Sequence, residues 1–443
     1  MTKTRYMQIA DKLSDAIKKG ELPPGTKLPT HRAFSEKFGI ALGTATRVYR
    51  ELEHRGIIVG EAGRGTFVRD QGLSMTHGLL QTSPDGLVDL VFNMPGETAD
   101  AELLRSGLRR LATSGDLQAM MRYQPHAGRR HERRIIAERL GANHGPIDPD
   151  HLLITSGGQH GLAIGILGLF QRGDAIAVDA LTYPGFKSVA ALQGLDVVPV
   201  EGTDGFMDPD ALDRQCRTRK PRAVYLMPTV HNPLGSVMDV TTRQRIVEVA
   251  QAYDLLMIED AAYAFLENDP PPSFIELAPE RTIHVGGYSK SLATGLRLGY
   301  LVSPPRHITN LLEAIRATTW NAPALISGLV TAWVEDGTLA KSEDSRRRDG
   351  AERQSICRAS MSNFSLSAHP NAGFAWVWLE KGMRAEPIVV ALKERGISAS
   401  GAEPFATTTA VPQALRLAFG GIPKARLPGV FETVRLTVEE AAQ

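Results

Sequence analysis

The sequence predicts an α/β protein: a mixed, mostly parallel sheet flanked by helices, carried behind a small helical head and followed by a smaller α+β C-terminal part. Three observations predict it. From about residue 89, short apolar runs alternate with helical segments: "HLLITS", "AIAVDA", "DVVPV", "AVYLMP", "LLMIED", "TIHVGG" and "LGYLVS". Strands that alternate with helices form open, largely parallel sheets. Before residue 70 the periodicity is helical three times, then strand-like on either side of a glycine-rich tip. Beyond about residue 345 helix and strand signals mix.

The head's elements follow in order. "RYMQIADKLSDAIKKG" (5–20) repeats Ile9, Leu13, Ala16 and Ile17 along one helical face, closed by Gly20. "LPPGTKLP" reads as a turn. "THRAFSEKFG" (30–39) starts with Thr30 as N-cap and stops at Gly39. "GTATRVYRELEHRG" (43–56) turns Ala45, Val48, Tyr49 and Leu52 inward and Thr44, Arg47 and Arg50 outward. "GIIVGEAGRGTFVRD" (56–70) is a hairpin. Two short helices, a tight turn and a hairpin make the winged helix-turn-helix plan, whose second helix enters the major groove of DNA. The same pattern also suits a small helical subdomain without a ligand.

Charge leans toward DNA. Residues 1–70 hold 13 Lys+Arg against 8 Asp+Glu, a net +5, while the remainder holds 37 against 41, a net −4. A basic head on a mildly acidic body points to a polyanionic partner for the head alone. The turn "G-ELPPGTKLPTHRAF" and the wing "GRGTFV" make residues 5–68 resemble the GntR family of bacterial regulators. That resemblance implies binding to double-stranded promoter DNA, with Arg32, Thr44, Arg47, Arg64 and Gly65 at or near it. Where the family often carries Ser/Thr-Arg before the recognition helix, this chain has Ala41 and Leu42. A lost arginine contact there costs on the order of 1–3 kcal/mol.

With 443 residues, 42% hydrophobic and 22% charged, the chain suits two or three globular domains. The division expected is a head at 1–70, a linker at 71–88 and an α/β body at 89–443. The longest apolar stretch, "GLAIGILGLF" (161–170), is too short to span a bilayer, and the N-terminus has no apolar leader. Cys216 and Cys357 show no CxxC spacing. Unpaired thiols, no metal site, no membrane partner and a cytoplasmic location are expected.

In the body, strand ends carry the chemistry. "LITSGGQHGL" (153–162) leads through small residues into a helix, a turn suited to phosphate. "YLMPTVHNPLG" (225–235) presents Asn232 before a proline. "LLMIEDAAYAFL" (255–266) ends an apolar strand on Asp260, with Tyr263 three residues on. A carboxylate there lacks solvent and suits a cationic partner, or alternatively caps a helix. "GGYSKSLATGLRLGYL" (286–301) places Lys290 among small and apolar residues, seven before Arg297. A lysine destined to lose its proton gains from such surroundings, because leaving water disfavours the charged form.

Jointly the "NPLG", "D-A-A-Y" and "S-K-x-L-x-x-G-L-R-L-G-Y" motifs make residues 89–440 resemble the fold-type I aminotransferases, which use pyridoxal 5'-phosphate. The resemblance implies that Lys290 carries the cofactor as an aldimine and shuttles a proton. It implies that Asp260 pairs with the ring nitrogen, that Asn232 and Tyr263 hydrogen-bond the ring's phenolate oxygen, and that Tyr183 stacks on the ring. Gly158, Gln159, Ser289 and Arg297 would hold the phosphate, and Tyr123 the phosphate of a partner subunit, so a homodimer is implied. Arg416 would grip a substrate or effector carboxylate. Two positions depart from the pattern: Gly287 replaces a usual Ser or Thr, and Thr294 a usual Pro.

A GntR-like head on such a body resembles the MocR subfamily of transcription regulators. It implies a head-to-tail dimer that senses an amino compound, or pyridoxal phosphate itself, and changes promoter binding. The alternative is an active aminotransferase with an accessory head. A binding scaffold with neither activity is the third reading.

Overall fold

The structure is a computed structural model, and it describes residues 5–18, 21–22, 26–54, 57–61, 65–68, 87–94, 96, 101–114 and 117–442. Residues 71–86 of the linker expected at 71–88, the helix stop at Gly20 and the wing-tip Arg64 lie outside the described residues.

Three helices build the head: α1 (Arg5–Lys18), α2 (His31–Phe38) and α3 (Leu42–His54). Thr30 caps α2, its hydroxyl accepting from the Ala33 N–H, and Gly39 ends it in the left-handed conformation. Ala45, Val48, Tyr49 and Leu52 are all buried, against Ala10 of α1 and Phe34 of α2. The Tyr49 hydroxyl donates to Pro29 O at 2.6 Å, locking the inter-helix turn to α3. Instead of the expected two strands, the wing has three. β1 (Lys27–Leu28) joins β2 (Ile58–Glu61) and β3 (Gly65–Val68) in the order β1-β3-β2. Within the "LPPGTKLP" stretch read as a turn, Lys27 and Leu28 are strand: Leu28 is buried, and pairing it with Thr66 covers the outer edge of β3.

The body opens with β4 (Val88–Asp89), which takes in Val88 from the stretch read as linker. The seven apolar runs are the seven strands of the large sheet: β5 (Leu152–Thr155), β6 (Ala175–Asp179), β7 (Asp196–Val200), then, beyond a small hairpin of β8 (Gly202–Thr203) and β9 (Phe206–Met207), β10 (Ala223–Leu226), β11 (Leu256–Asp260), β12 (Thr282–Gly287) and β13 (Gly299–Val302). Their order is β5-β13-β12-β11-β10-β6-β7, with β13 antiparallel to both neighbours and the other pairings parallel. Helices on both faces bury β5, β10 and β13 completely, hence runs without polar alternation.

A 23-residue helix, Thr338–Ser360, leads to the smaller α+β part. There β14 (Ser365–Ser367), β15 (Phe374–Trp378), β17 (Ser400–Gly401) and β18 (Ala414–Ala418) form an antiparallel sheet ordered β14-β15-β18-β17. Alongside it, β16 (Ile397–Ser398) pairs in parallel with β4. The chain leaving the head's side therefore first becomes part of the small subdomain. The Arg384 guanidinium lies 3.6 Å from the Phe67 ring centre, a cation–π contact between wing and body. Cys216 and Cys357 are both free and buried.

Candidate active site and nucleic-acid interface

One end of the site is built where β5 gives way to the helix Gly158–Leu169. Gly157 caps that helix at φ 91°, so the first turn's N–H groups face the end of the sheet. Arg297 packs against this turn, and a Cβ on Gly157 would stand 2.8 Å from its Nη2. Arg297 Nη1 donates to Ser289 Oγ at 3.1 Å. Arg297 thus joins Ser289 to the turn at Gly157, the residue before Gly158 and 140 positions away in the sequence. The Gly287 departure has a steric reason. A side chain there would approach Gly158 N and Leu298 O to 3.2 Å each, crowding the turn. Gln159 Nε2 donates to Gly185 O at 2.9 Å, tying the turn to the loop of Tyr183.

Two adjacent carboxylates end β11, and strand alternation sends them to opposite faces. Glu259 accepts from the Phe274 and Ile275 N–H groups and pairs with His284 Nδ1 at 2.8 Å. Asp260 faces the site, buried, with Oδ1 accepting from Ala262 N at 3.0 Å and Oδ2 from Tyr225 Oη at 2.9 Å. Burial pushes its carboxyl pKa upward. Burial likewise raises the Tyr183 hydroxyl, with Asp260 and Tyr263 adding to it, so these three groups share one neighbourhood. Asn232 is buried beyond β10, and its Oδ1 has no hydrogen-bond partner among the described residues.

Lys290 leaves β12 and lies 5.8 Å from the centre of the Tyr263 ring. Its Nζ donates to Asn93 O at 2.6 Å, and Asn93 Nδ2 donates to Tyr263 Oη at 2.8 Å. Arg416, on β18, is buried between Phe374 and Phe405. Its Nη1 donates to Val91 O at 2.8 Å, while its Nε has no partner among the described residues. Burial lowers its pKa to about 10. The residues after β4 thus form a strap across the site, held by Lys290, Tyr263 and Arg416. Tyr123 stands apart: it is 87% exposed, its ring 5.7 Å from that of Trp320.

Sequence reasoning missed Tyr225 and the strap. Tyr225 sat inside "AVYLMP", where a polar atom in a buried run was the available signal. Asn93 carries no motif, and only folding brings it to Lys290, 197 residues away.

On the head, Arg47 is exposed on the outer face of α3 and Thr44 is half-buried beside it. Arg32, also exposed, pairs with Glu36 at 3.5 Å. Gly65 opens β3 and is exposed. Leu42, at the arginine position of the family, is 54% exposed at the start of α3.

Comparison with known proteins agrees with both halves. Residues 5–68 match the bacterial regulatory proteins of the gntR family, and residues 91–433 match aminotransferase class I and II. The HTH-type transcriptional regulator YdeF of Bacillus subtilis is 28% identical over 409 residues, 92% of this chain and 88% of that protein. The 2-aminoadipate transaminase of Thermus thermophilus is 27% identical, covering 75% of this chain and 84% of that one. Among solved structures, the kynurenine aminotransferase of Pyrococcus horikoshii superposes with a TM-score of 0.76 at 22% identity, over 84% of this chain and 97% of that chain. A gntR-type helix-turn-helix at the front and a fold-type I body behind it leave one assignment: the chain belongs to the aminotransferase class I and II family, in the fused regulator architecture of the MocR subfamily.

Proposed function

We propose that the protein is a pyridoxal-phosphate-dependent transcription regulator that senses an amino compound, or pyridoxal phosphate itself, and changes its binding to promoter DNA. The observation that carries this reading is Arg416. A buried guanidinium whose Nε has no partner among the described residues, in one site with Lys290 and on a chain with a DNA-binding head, suits a small carboxylate signal.

The side chains fit the cofactor. Asp260 is a buried carboxylate whose described partners are a backbone N–H and a tyrosine, leaving acceptor capacity for a protonated ring nitrogen. Asn232, through its amide N–H, and Tyr263, through its hydroxyl, would donate to the ring's phenolate oxygen. Gly158, Gln159, Ser289 and Arg297 would hold the phosphate, Tyr183 the ring face, and Lys290 would be the covalent anchor. When bound, pyridoxal phosphate supplies an aldehyde that condenses reversibly with amines and a ring that withdraws electrons. The exposed Tyr123 would serve a partner subunit, in a head-to-tail homodimer. Arg32, Thr44, Arg47, Arg64 and Gly65 would contact DNA, and the domains would divide at 1–70, 71–88 and 89–443.

A ligand shifts the heads only if two body conformations bind it unequally. The test is a gel shift on the protein's own upstream region, with pyridoxal phosphate and a panel of amines. A shift that responds to one of them supports the sensor, and no DNA binding under any condition refutes it. A second reading, an active aminotransferase, is favoured by the presence of Arg416 and by the likeness to the 2-aminoadipate transaminase. Multiple-turnover transamination without a promoter shift would establish it instead.

A further inference from the structure

Asp260 does not stand alone at its end of the sheet. β10 and β11 run parallel, with Tyr225 opposite Ile258. Side chains alternate, so Asp260, two residues beyond Ile258, projects on the same face as Tyr225 and diagonally from it. A long aromatic side chain spans that diagonal, and Tyr225 Oη reaches Asp260 Oδ2 at 2.9 Å.

Both residues are buried. The Tyr225 ring stacks face to face on Phe186, centroids 3.8 Å apart and planes 8° from parallel, so its hydroxyl is aimed by packing. Burial and the neighbouring Asp260 hold the Tyr225 pKa well above the usual phenol range, so the hydroxyl stays a donor. The Ala262 N–H holds the other carboxylate oxygen, and the two bonds together set the plane of the group.

We propose that Tyr225 is a positioning residue for Asp260: its hydroxyl orients the carboxylate and sustains its charge, leaving the remaining acceptor capacity to the protonated ring nitrogen of the cofactor. The inference rests on the cofactor reading above and adds a residue that no motif marks. Removing the hydroxyl takes away one of two donors from a buried anion, which favours the neutral acid. A neutral Asp260 holds a ring-nitrogen proton poorly.

A double-mutant cycle on the full-length protein tests it. Pyridoxal phosphate is titrated, following its absorbance, into wild type, Tyr225→Phe, Asp260→Asn and the double variant. Phenylalanine keeps the stack on Phe186, and hydrogen exchange in β10 and β11 reports the fold. Tyr225→Phe is expected to bind the cofactor about tenfold more weakly, the order of one charge-assisted hydrogen bond. It is also expected to shift the pH midpoint of the cofactor band. In the Asp260→Asn background the same change should be within about twofold, because the charge it serves is gone. Wild-type binding by Tyr225→Phe, or equal weakening in both backgrounds, overturns the assignment. A wild-type protein that takes up no cofactor refutes the functional reading itself, a separate and recognisable failure.

Discussion

Lys290 Nζ donates to the backbone carbonyl of Asn93 at 2.6 Å, joining the end of β12 to the first segment of the body. The same segment gives Val91 O to Arg416, and its residue 90 pairs by backbone with both Ser398 and Ala418. It therefore bridges the small subdomain and the large sheet at the site, and its start, Val88, lies twenty residues beyond Val68 of the wing. Side chains that would meet a ligand hold the chain's own backbone.

Asn93→Ala removes the side-chain tie to Tyr263. One hydrogen bond contributes about 1 kcal/mol, so the amides of residues 90–94 should exchange roughly fivefold faster. Unchanged exchange there would show that the strap does not depend on the Asn93–Tyr263 bond.

Lys290→Ala should abolish cofactor absorbance while the melting temperature stays near wild type, since the Nζ hydrogen bond found for this side chain is the one to Asn93. A retained band, or borohydride labelling of another peptide, would refute Lys290 as the anchor.

Arg416→Lys keeps the charge and loses the fork. Carboxylate-bearing amines should bind roughly tenfold or more weakly, and amines without a carboxylate unchanged. Equal loss for both classes would place Arg416 outside the ligand contact.

Arg47→Ala, on the exposed face of α3, should weaken DNA binding by on the order of 1–3 kcal/mol and leave the cofactor titration alone. Equal DNA affinity would contradict the placement of α3 against DNA.

Stability should fall with acid through His144. Burial first, then the neighbouring His284, lowers its pKa from 6.5 to about 4. Between those values the unfolded chain binds the proton and the folded chain does not. Stability is thus full above pH 6.5 and declines toward pH 4, by about 3 kcal/mol at most. Urea unfolding at both pH values measures it, and His144→Gln should flatten the slope. An equal slope in the variant would assign the acid sensitivity to other groups.

The seven strands of the large sheet were legible because a doubly covered parallel sheet needs continuous apolar runs, which local sequence displays. Thr30 and Gly39 were legible as helix ends for the same local reason. The wing's third strand was not: two residues, Lys27 and Leu28, become a strand only because the edge of β3 lies beside them. Gly287 read as a departure from a motif, and the close approach of Gly158 N explains it.

By itself the sequence determined the two-part architecture, because apolar periodicity is a local property of the chain, and its resemblance to the aminotransferases marked Asn232, Asp260, Lys290, Arg297 and Arg416 as candidates. Only the tertiary structure decided that the Tyr225 hydroxyl bonds Asp260 and that Asn93 and Val91 close on Lys290 and Arg416. Those contacts join residues 35 to 325 positions apart. No short stretch encodes them, since they arise from which strands lie side by side and from where one subdomain meets the other.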